Sequence, residues 1–286
     1  LPIYAGAAAR YLSRYYDVSV SFAGAGYTNT EEWAAYVQPR VDNNVYLVSV
    51  PVERGTNNNL NGRLGAQLAR GLHAGSGTND ADVLSYCTTN REWKVFYLLD
   101  GGGQAVWWDF DRGAPADLEI TPTMGFWLQR KAGSRARVNC VLTGRSYTTP
   151  QTVWFSTNES ASGWAWTLFG WPFATPRRHV NLGPGATPAN QLGVEPQAYG
   201  GLTIDLAGPQ ALQGDQLWVW QSNTFTEVYW LIGGADASRR GRWSSDKYPG
   251  QFATFALEPG KAYFYRHHCA TNGPPTGTNF WWQIAP

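Results

Sequence analysis

Charge is scarce in this sequence. Only 15% of its 286 residues are Asp, Glu, Lys or Arg, against about a quarter in an average globular chain. The 22 cations and 21 anions leave a formal charge of +1, and most of the cations are Arg. That balance removes the electrostatic case for nucleic acid as a partner. No run approaches eighteen apolar residues, so no transmembrane segment is expected. The opening "LPIYAGAAARYLSRYY" has neither a leading Met nor the apolar core of a signal peptide, and reads as the start of a mature, processed chain. Cysteine is also scarce, with three in the chain. Cys87 and Cys140 are a disulfide candidate whose loop of roughly 50 residues would be worth about 4 kcal/mol by chain entropy. The alternative is two buried thiols, and in either case Cys269 is left over.

Glycine and aromatics fill the space that charge leaves. There are 32 Gly, 15 Trp and 15 Tyr, with Asn, Thr and Ser common as well. A β-rich protein with many turns, a polar uncharged surface and aromatic packing has this composition, and extracellular proteins often do.

The chain repeats itself. "EWAAYVQPRVDNNVYLVSVPV" (Glu32 to Val52) lies over "VWFSTNESASGWAWTLFGWPF" (Val153 to Phe173) at an offset of 121, with Trp33 on Trp154, Leu47 on Leu168 and Pro51 on Pro172. "DVLSY" matches "QLWVW" at 134, "KVFYLLDG" matches "EVYWLIGG" at 133, Trp108 falls on Trp243 at 135, and "ITPTMGFWLQ" matches "LEPGKAYFYR" at 137. The offset changes only across Gly- or Asn-rich loops, where insertions are tolerated. Each copy reads as a Trp-bearing strand, a strand ending in proline, a short helix, a hairpin and two further strands. In the first copy the helix is "NLNGRLGAQLARGL", with Leu60, Leu64 and Leu68 on one face. The second copy is weaker there, "TPANQLGVEPQAYGGL". The expected fold is mainly β: two tandem sandwich- or barrel-like modules, 31–149 and 150–286, each with a short helix. The short polar join "TGRSYTTPQT" implies that the two pack together.

Residues 1–30 have no counterpart in the second copy. Val18, Val20 and Phe22 alternate with polar residues, the period of a half-buried strand. This extension is either an extra edge strand on its own module or an assembly segment that pairs with a neighbouring subunit.

Motifs that carry chemistry are few. There is no nucleophile elbow, P-loop or zinc-protease helix, and "FAGAGY" lacks the setting of a dinucleotide site. Asp109 and Asp111, beside two Trp, have the look of a sugar cleft's acid and base if both lie on one strand face. The plainer reading is a solvated strand end. Asp80 and Asp82 in "GTNDAD" offer oxygens to Ca²⁺ without a regular ligand spacing. "RHHC" (Arg266 to Cys269) invites a metal, but adjacent histidines on a strand face opposite ways, so neither a metal nor a cofactor is assigned. Trp107, Trp108, Trp243, Trp281 and Trp282 are candidates for glycan or partner contact, since exposed indoles make flat platforms for sugar rings. Against this, Trp33/Trp154 and Trp108/Trp243 recur in register and read as shared core packing. Asn158-Glu159-Ser160 is a glycosylation sequon.

With the repeat in view, "VYLVSVPV", "DVLSY" and "TPTMGFWLQ" in one copy, and "TLFGWPF", "QLWVW" and "LEPGKAYFY" in the other, resemble a tandem "NLVSVP…GyW" module. That module occurs in secreted and cell-surface proteins of Gram-negative bacteria of the planctomycete and verrucomicrobial type. The resemblance implies an extracellular or cell-surface location and a structural role, with no catalytic residues to carry over. The expectation is therefore a non-enzymatic structural protein that assembles with itself into a filament, sheath or layer. A carbohydrate-binding adhesin is the first alternative, and a glycoside hydrolase with its site near Asp109 the second.

Overall fold

Alternation of buried and exposed positions shapes most of the strands. In "WKVFYLLD" (Trp93 to Asp100), Phe96 and Leu98 are buried while Tyr97 and Leu99 between and beside them are not, the period-two pattern of a strand with one covered face. The computed structural model describes residues 7–9, 18–22, 33–37, 45–55, 58–88, 90, 92–131, 141–156, 164–174, 177–179, 216–221, 224–231, 243–245, 255–268 and 280–284. Among these the chain is mainly β, with twenty strands and one helix. No helix among them is long and apolar enough to cross a membrane.

The first part of the chain forms β1 (Ala7–Ala9), β2 (Val18–Phe22), β3 (Trp33–Val37), β4 (Val45–Ser49), β5 (Val52–Glu53), α1 (Arg63–Ala69), β6 (Val83–Cys87), β7 (Trp93–Asp100), β8 (Ala105–Asp109), β9 (Ala114–Pro115), β10 (Gly125–Gln129) and β11 (Val141–Ser146). They make two antiparallel sheets, ordered β4-β10-β6-β7-β8-β9 and β1-β2-β3-β11-β5. The extension therefore pairs within its own chain: β2 lies between β1 and β3, with Val18 opposite Val37 and Phe22 opposite Trp33.

The core of this half sits between the six-stranded sheet, the helix and β11. Leu60, Leu64 and Leu68 are fully buried there with Leu84, Phe126, Leu128 and Leu142. Each is worth about 1.5–3 kcal/mol relative to exposure. Leu60 precedes the helix, and its carbonyl comes so close to Gly65 that any Cβ at 65 would collide with it. Trp107 fills the space beside this contact, its Nε1–H donating to the Gly65 carbonyl at 3.2 Å. Asn61 ties the helix entry to two strands: its Nδ2 donates to the carbonyls of Trp107 and Ala116, and its Oδ1 accepts the Trp107 N–H.

The remaining strands are β12 (Gln151–Phe155), β13 (Trp164–Gly170), β14 (Arg177–His179), β15 (Gln216–Gln221), β16 (Thr224–Leu231), β17 (Trp243–Ser245), β18 (Phe255–Leu257), β19 (Ala262–His268) and β20 (Phe280–Ile284). A five-stranded sheet runs β13-β19-β15-β16-β17, with two-stranded pieces β12-β20 and β14-β18 beside it. Its core is aromatic: Phe155 lies 4.4 Å from Tyr265 and 5.7 Å from Phe169, ring centre to ring centre.

The large sheets share an order. Leu47, Trp127 and Ser85 form one row across β4, β10 and β6, and Leu168, Phe264 and Trp218 form the same row across β13, β19 and β15. Leu84 opposite Phe96 matches Leu217 opposite Tyr229, and Leu98 opposite Trp107 matches Leu231 opposite Trp243. These registers correct two correspondences expected from sequence. The offset along β6 and β15 is 133, not 134, and along β8 and β17 it is 136, not 135. Trp243 thus matches Trp107 rather than Trp108. A one-residue slip moves every side chain to the other face, and in strands as aromatic as "LWVWQ" the apolar pattern alone does not define the phase. The expected second helix, near 187–202, lies outside the described residues.

Candidate functional site

The two large sheets meet through a reciprocal contact. The Ser49 N–H donates to the Gly260 carbonyl at 2.8 Å, and the Gly170 N–H donates to the Thr123 carbonyl at 2.9 Å. In the row correspondence above, Ser49 matches Gly170 and Thr123 matches Gly260, so each bond is the image of the other. The isolated bridges Val48–Lys261 and Met124–Phe169 repeat the relation. The junction is thus held by backbone contacts of one kind running in both directions. At its centre Leu47, Leu168 and Ala262 are buried, with Cys87, Trp127, Trp220 and Phe264 packed around them. Backbones pass so closely here that a Cβ on Gly170 would collide with the Met124 carbonyl and with Ser49. The Trp220 Nε1–H donates across the junction to the Val45 carbonyl at 2.8 Å, and its ring lies 4.8 Å from that of Trp127.

From this junction an aromatic row extends over the half-buried face of the second sheet. Trp166, Trp218, Phe225 and Trp220 follow one another at centroid distances of 4.8–5.2 Å, and Phe264 lies 6.1 Å from Trp166 and 5.9 Å from Phe225. The Arg266 guanidinium lies 5.0 Å from the Trp166 ring and 6.0 Å from that of Trp218, at cation–π range. Its Nη1 donates to Gln216 Oε1 at 3.2 Å, and that oxygen also accepts the Trp218 Nε1–H at 2.8 Å. Burial pulls the Arg266 pKa below its ordinary value.

Beside the row a cleft of about 360 Å³ opens between the sheets. Trp154 stands at it, 51% exposed, while Val153 and Phe155 on either side are buried. Trp166 and Tyr86 add aromatic walls, and Thr88, Thr167 and Ser156 add hydroxyls. The Thr167 Oγ1 accepts the Ser156 N–H at 3.0 Å, which fixes its orientation. Burial raises the Tyr86 pKa, so its hydroxyl stays a donor. Among the described residues Glu119 is the one carboxylate lining the cleft, and no described Lys, Arg or His lines it. Flat aromatic surface, fixed hydroxyls and a single acid suit a neutral polyhydroxylated ligand.

Of the residues singled out in the sequence, Cys87 lines this cleft and Trp281 stands opposite Trp154 in the β12–β20 pair, whereas Trp107, Trp108, Asp109 and Asp111 lie elsewhere. Trp107 is 1% exposed and belongs to the core. Trp108 is half-buried on β8. The strands bearing Val18, Val20, Phe22, Trp243, Trp281 and Trp282 are described, but these side chains lie outside the described residues. Cys87 is half-buried, with Sγ 3.7 Å from the Thr88 carbonyl, and its candidate partner Cys140, like Cys269 and the Asn158 sequon, lies outside them.

Asp109 and Asp111 do not share a strand face, because β8 ends at Asp109. The Asp109 carboxylate is buried and accepts the N–H groups of Asp111 and Arg112, both at 3.0 Å, closing a turn rather than facing solvent. Asp80 and Asp82 also diverge. Asp80 accepts from the N–H groups of Ser76 and Gly77 in an exposed turn. Asp82 is fully buried, with Oδ2 2.7 Å from Arg130 Nε, and it accepts the N–H groups of His73 and Lys131, both at 2.8 Å. Among the described residues no three His, Cys, Asp or Glu side chains converge on a point where an ion could sit.

Sequence reasoning assigned Trp154 to shared core packing, which its exposure overturns, and missed Trp166 altogether. The signal for Trp154 was its place between Val153 and Phe155 in "TVWF", an outward position if both neighbours point inward.

Fold and cleft together define a mainly β protein with several antiparallel sheets and an aromatic cleft at their junction. No protein-family model, curated protein or solved structure matches the chain.

Proposed function

We propose that the chain is two copies of one β module, locked face to face, and that it serves as an exported, non-enzymatic structural subunit of a cell-surface filament, sheath or layer. The observation that carries this reading is the reciprocal pair of backbone bonds, Ser49 to Gly260 and Gly170 to Thr123. Two-fold exchange between corresponding positions is what fusion of a dimeric module produces, and it makes a stiff unit from two small sheets. The resemblance to "NLVSVP…GyW" modules supports the location and the role. Because β2 already has β1 and β3 as neighbours, assembly through the extension would proceed by exchange: the β1–β2 hairpin of one subunit replaces that of the next beside β3. Electron microscopy of the purified chain tests this. Ordered filaments or sheets that disappear on deletion of residues 1–22 are the expected result. Monodisperse particles at all concentrations would overturn the assembly reading, and assemblies that survive the deletion would remove the exchange.

A second reading, a carbohydrate-binding adhesin, is favoured by the cleft with Trp154 and Trp166. Binding to neutral glycans on an array, lost in Trp154→Ala while the melting temperature holds, is its expected outcome. An exposed indole contributes little to folding but would supply the stacking surface.

A further inference from the structure

Two of the three large apolar side chains that stand exposed among the described residues are neighbours on the first sheet. Trp93, 46% exposed, begins β7, and Phe110, 57% exposed, follows the end of β8. The Phe110 N–H donates to the Val95 carbonyl at 3.0 Å. Phe110 therefore stands across from Val95, which shares a strand face with Trp93 two residues before it. Tyr97 and Trp108 are opposite each other further along the same face, and both are half-buried. Three features decide what fits this aromatic patch. It continues the junction: Leu47, Trp127, Ser85 and Val95 form one row across β4, β10, β6 and β7, and Trp220 and Phe264 of the second sheet cover its Leu47–Trp127 end. It has relief. In the second sheet Phe225, opposite Trp220, packs on Trp218 at 5.0 Å. In the first sheet Trp93, opposite Cys87, has the small Ser85 in place of that indole, and it stands above a low strip of Ser85 and Val95. Its rim carries both signs, with Glu92 and Lys94 3.4 Å apart beside Trp93, and Asp111 and Arg112 exposed in the turn beside Phe110.

We infer that the Trp93–Phe110 patch is a two-fold contact with a second copy of this chain. A surface that meets its own copy must be self-complementary. A raised aromatic pair beside a low strip seats reciprocally, and a rim with acids and bases pairs with itself, where a rim of one sign would suit a partner of the other. Aromatic anchors seated in hollows inside a polar rim carry most of the energy of a protein contact. The choice of a second copy rests on the assembly reading and deepens it. Exchange of the β1–β2 hairpin runs head to tail and builds an open chain. A two-fold contact joins such chains in pairs, which gives a double filament or a layer rather than a single strand.

Sedimentation velocity of the full chain over a concentration series, with electron microscopy of the same samples, tests the contact. The wild type should associate in pairs, and its filaments should be double or joined into layers. Trp93→Ser/Phe110→Ser should raise the dissociation constant for pairing by about tenfold or more and leave single filaments. Both side chains are exposed, so the melting temperature of the variant should hold. Phe110→Ser alone, outside any strand, gives the same comparison with β7 untouched. Pairs without filaments, lost in the variant, would support the contact and sink the head-to-tail exchange. Double filaments or layers that persist in the variant would overturn the contact and leave the exchange standing. Wild-type monomers at all concentrations would overturn both. A neutral glycan that binds the wild type as a monomer, and is lost in the variant, would give the patch to a sugar and overturn the second copy.

Discussion

The two large sheets follow the same strand order and differ in almost everything that fills it. The first is packed with Leu and Val around one helix; the second is packed with Phe and Tyr, and carries a further row of indoles on the half-buried face that meets the junction. Row by row, Ser85 stands where Trp218 stands, and Val95 where Val228 does. Backbone pairing and alternation set the topology, and cores tolerate wide substitution when volume and pattern are kept. Polar groups diverge as well. In the first half Asp82 and Arg130 form a buried pair. With the offset corrected to 133, the sequence places Asp215 at the position of Asp82, and His267 at that of Arg130.

Breaking that pair should give the largest effect. Asp82→Ala leaves Arg130, 1% exposed at its side chain, without its carboxylate, and leaves the His73 and Lys131 N–H groups without an acceptor. Loss of about 3–5 kcal/mol in urea unfolding is expected, because an uncompensated buried charge is costly. Replacing both partners, Asp82→Leu with Arg130→Met, should recover much of the loss. His267→Met, in the corresponding place of the second sheet, should cost clearly less than Asp82→Ala. Equal losses at the two places would mean that their polar groups do the same structural job.

The junction offers the next effect. Identical side chains brought close across a junction can collide, and two of the corresponding pairs here have one member with a side chain and one glycine: Ser49 with Gly170, Ala262 with Gly125. Gly170→Ala drives a Cβ into the Met124 carbonyl, and overpacking of this type costs about 1–3 kcal/mol. Gly125→Ala places its Cβ 2.9 Å from Ala262 Cβ, Leu168 Cγ and the Phe169 carbonyl carbon. Adding Ala262→Gly removes one of the three conflicts and should restore part of the stability. If the double variant were no better than Gly125→Ala alone, the pairing of glycine with a side chain at the junction would have no packing origin. Smaller again is Trp220→Phe, which keeps the ring contacts of the junction and removes the bond to Val45. About 1 kcal/mol is expected, the net worth of one hydrogen bond.

Much of this architecture was legible in the sequence. The Leu60-Leu64-Leu68 spacing marked the helix and its buried face, and the strands before the prolines and the β6–β7 hairpin followed from alternation and turn residues. What stayed hidden depended on distance along the chain or on phase. Asp82 and Arg130 are 48 residues apart, and nothing local to either marks the pair. Arg54 and Thr143 meet across 89 residues, and nothing local to either marks that contact. Trp107 and Trp108 were known to face opposite ways, but which of them faced the core depended on a one-residue register that the apolar pattern left open.

The smallest effect separates the loops of the two halves. Asp80 closes the Ser76–Asp80 turn, and its carboxylate accepts the Ser76 N–H, the Ser76 hydroxyl and the Gly77 N–H, each at 2.9 Å. These bonds favour the charged form, the Ser76 N–H most, and lower the pKa from its ordinary 3.8 to about 2. A depressed carboxylate contributes stability that is fully present above its unfolded pKa and is lost as pH falls through the folded one. The turn should therefore hold above about pH 4 and loosen between pH 4 and pH 2. At the matching position the second half has Gln213, so acid should act on this turn of the first half and not through its counterpart. Titration of the side-chain carboxyl carbons by NMR checks the point: Asp80 should titrate near pH 2, with the Ser76 and Gly77 amide shifts moving in step. In Asp80→Asn those amides should show no such inflection. A midpoint near 4 in the wild type would mean that the carboxylate does not hold the turn.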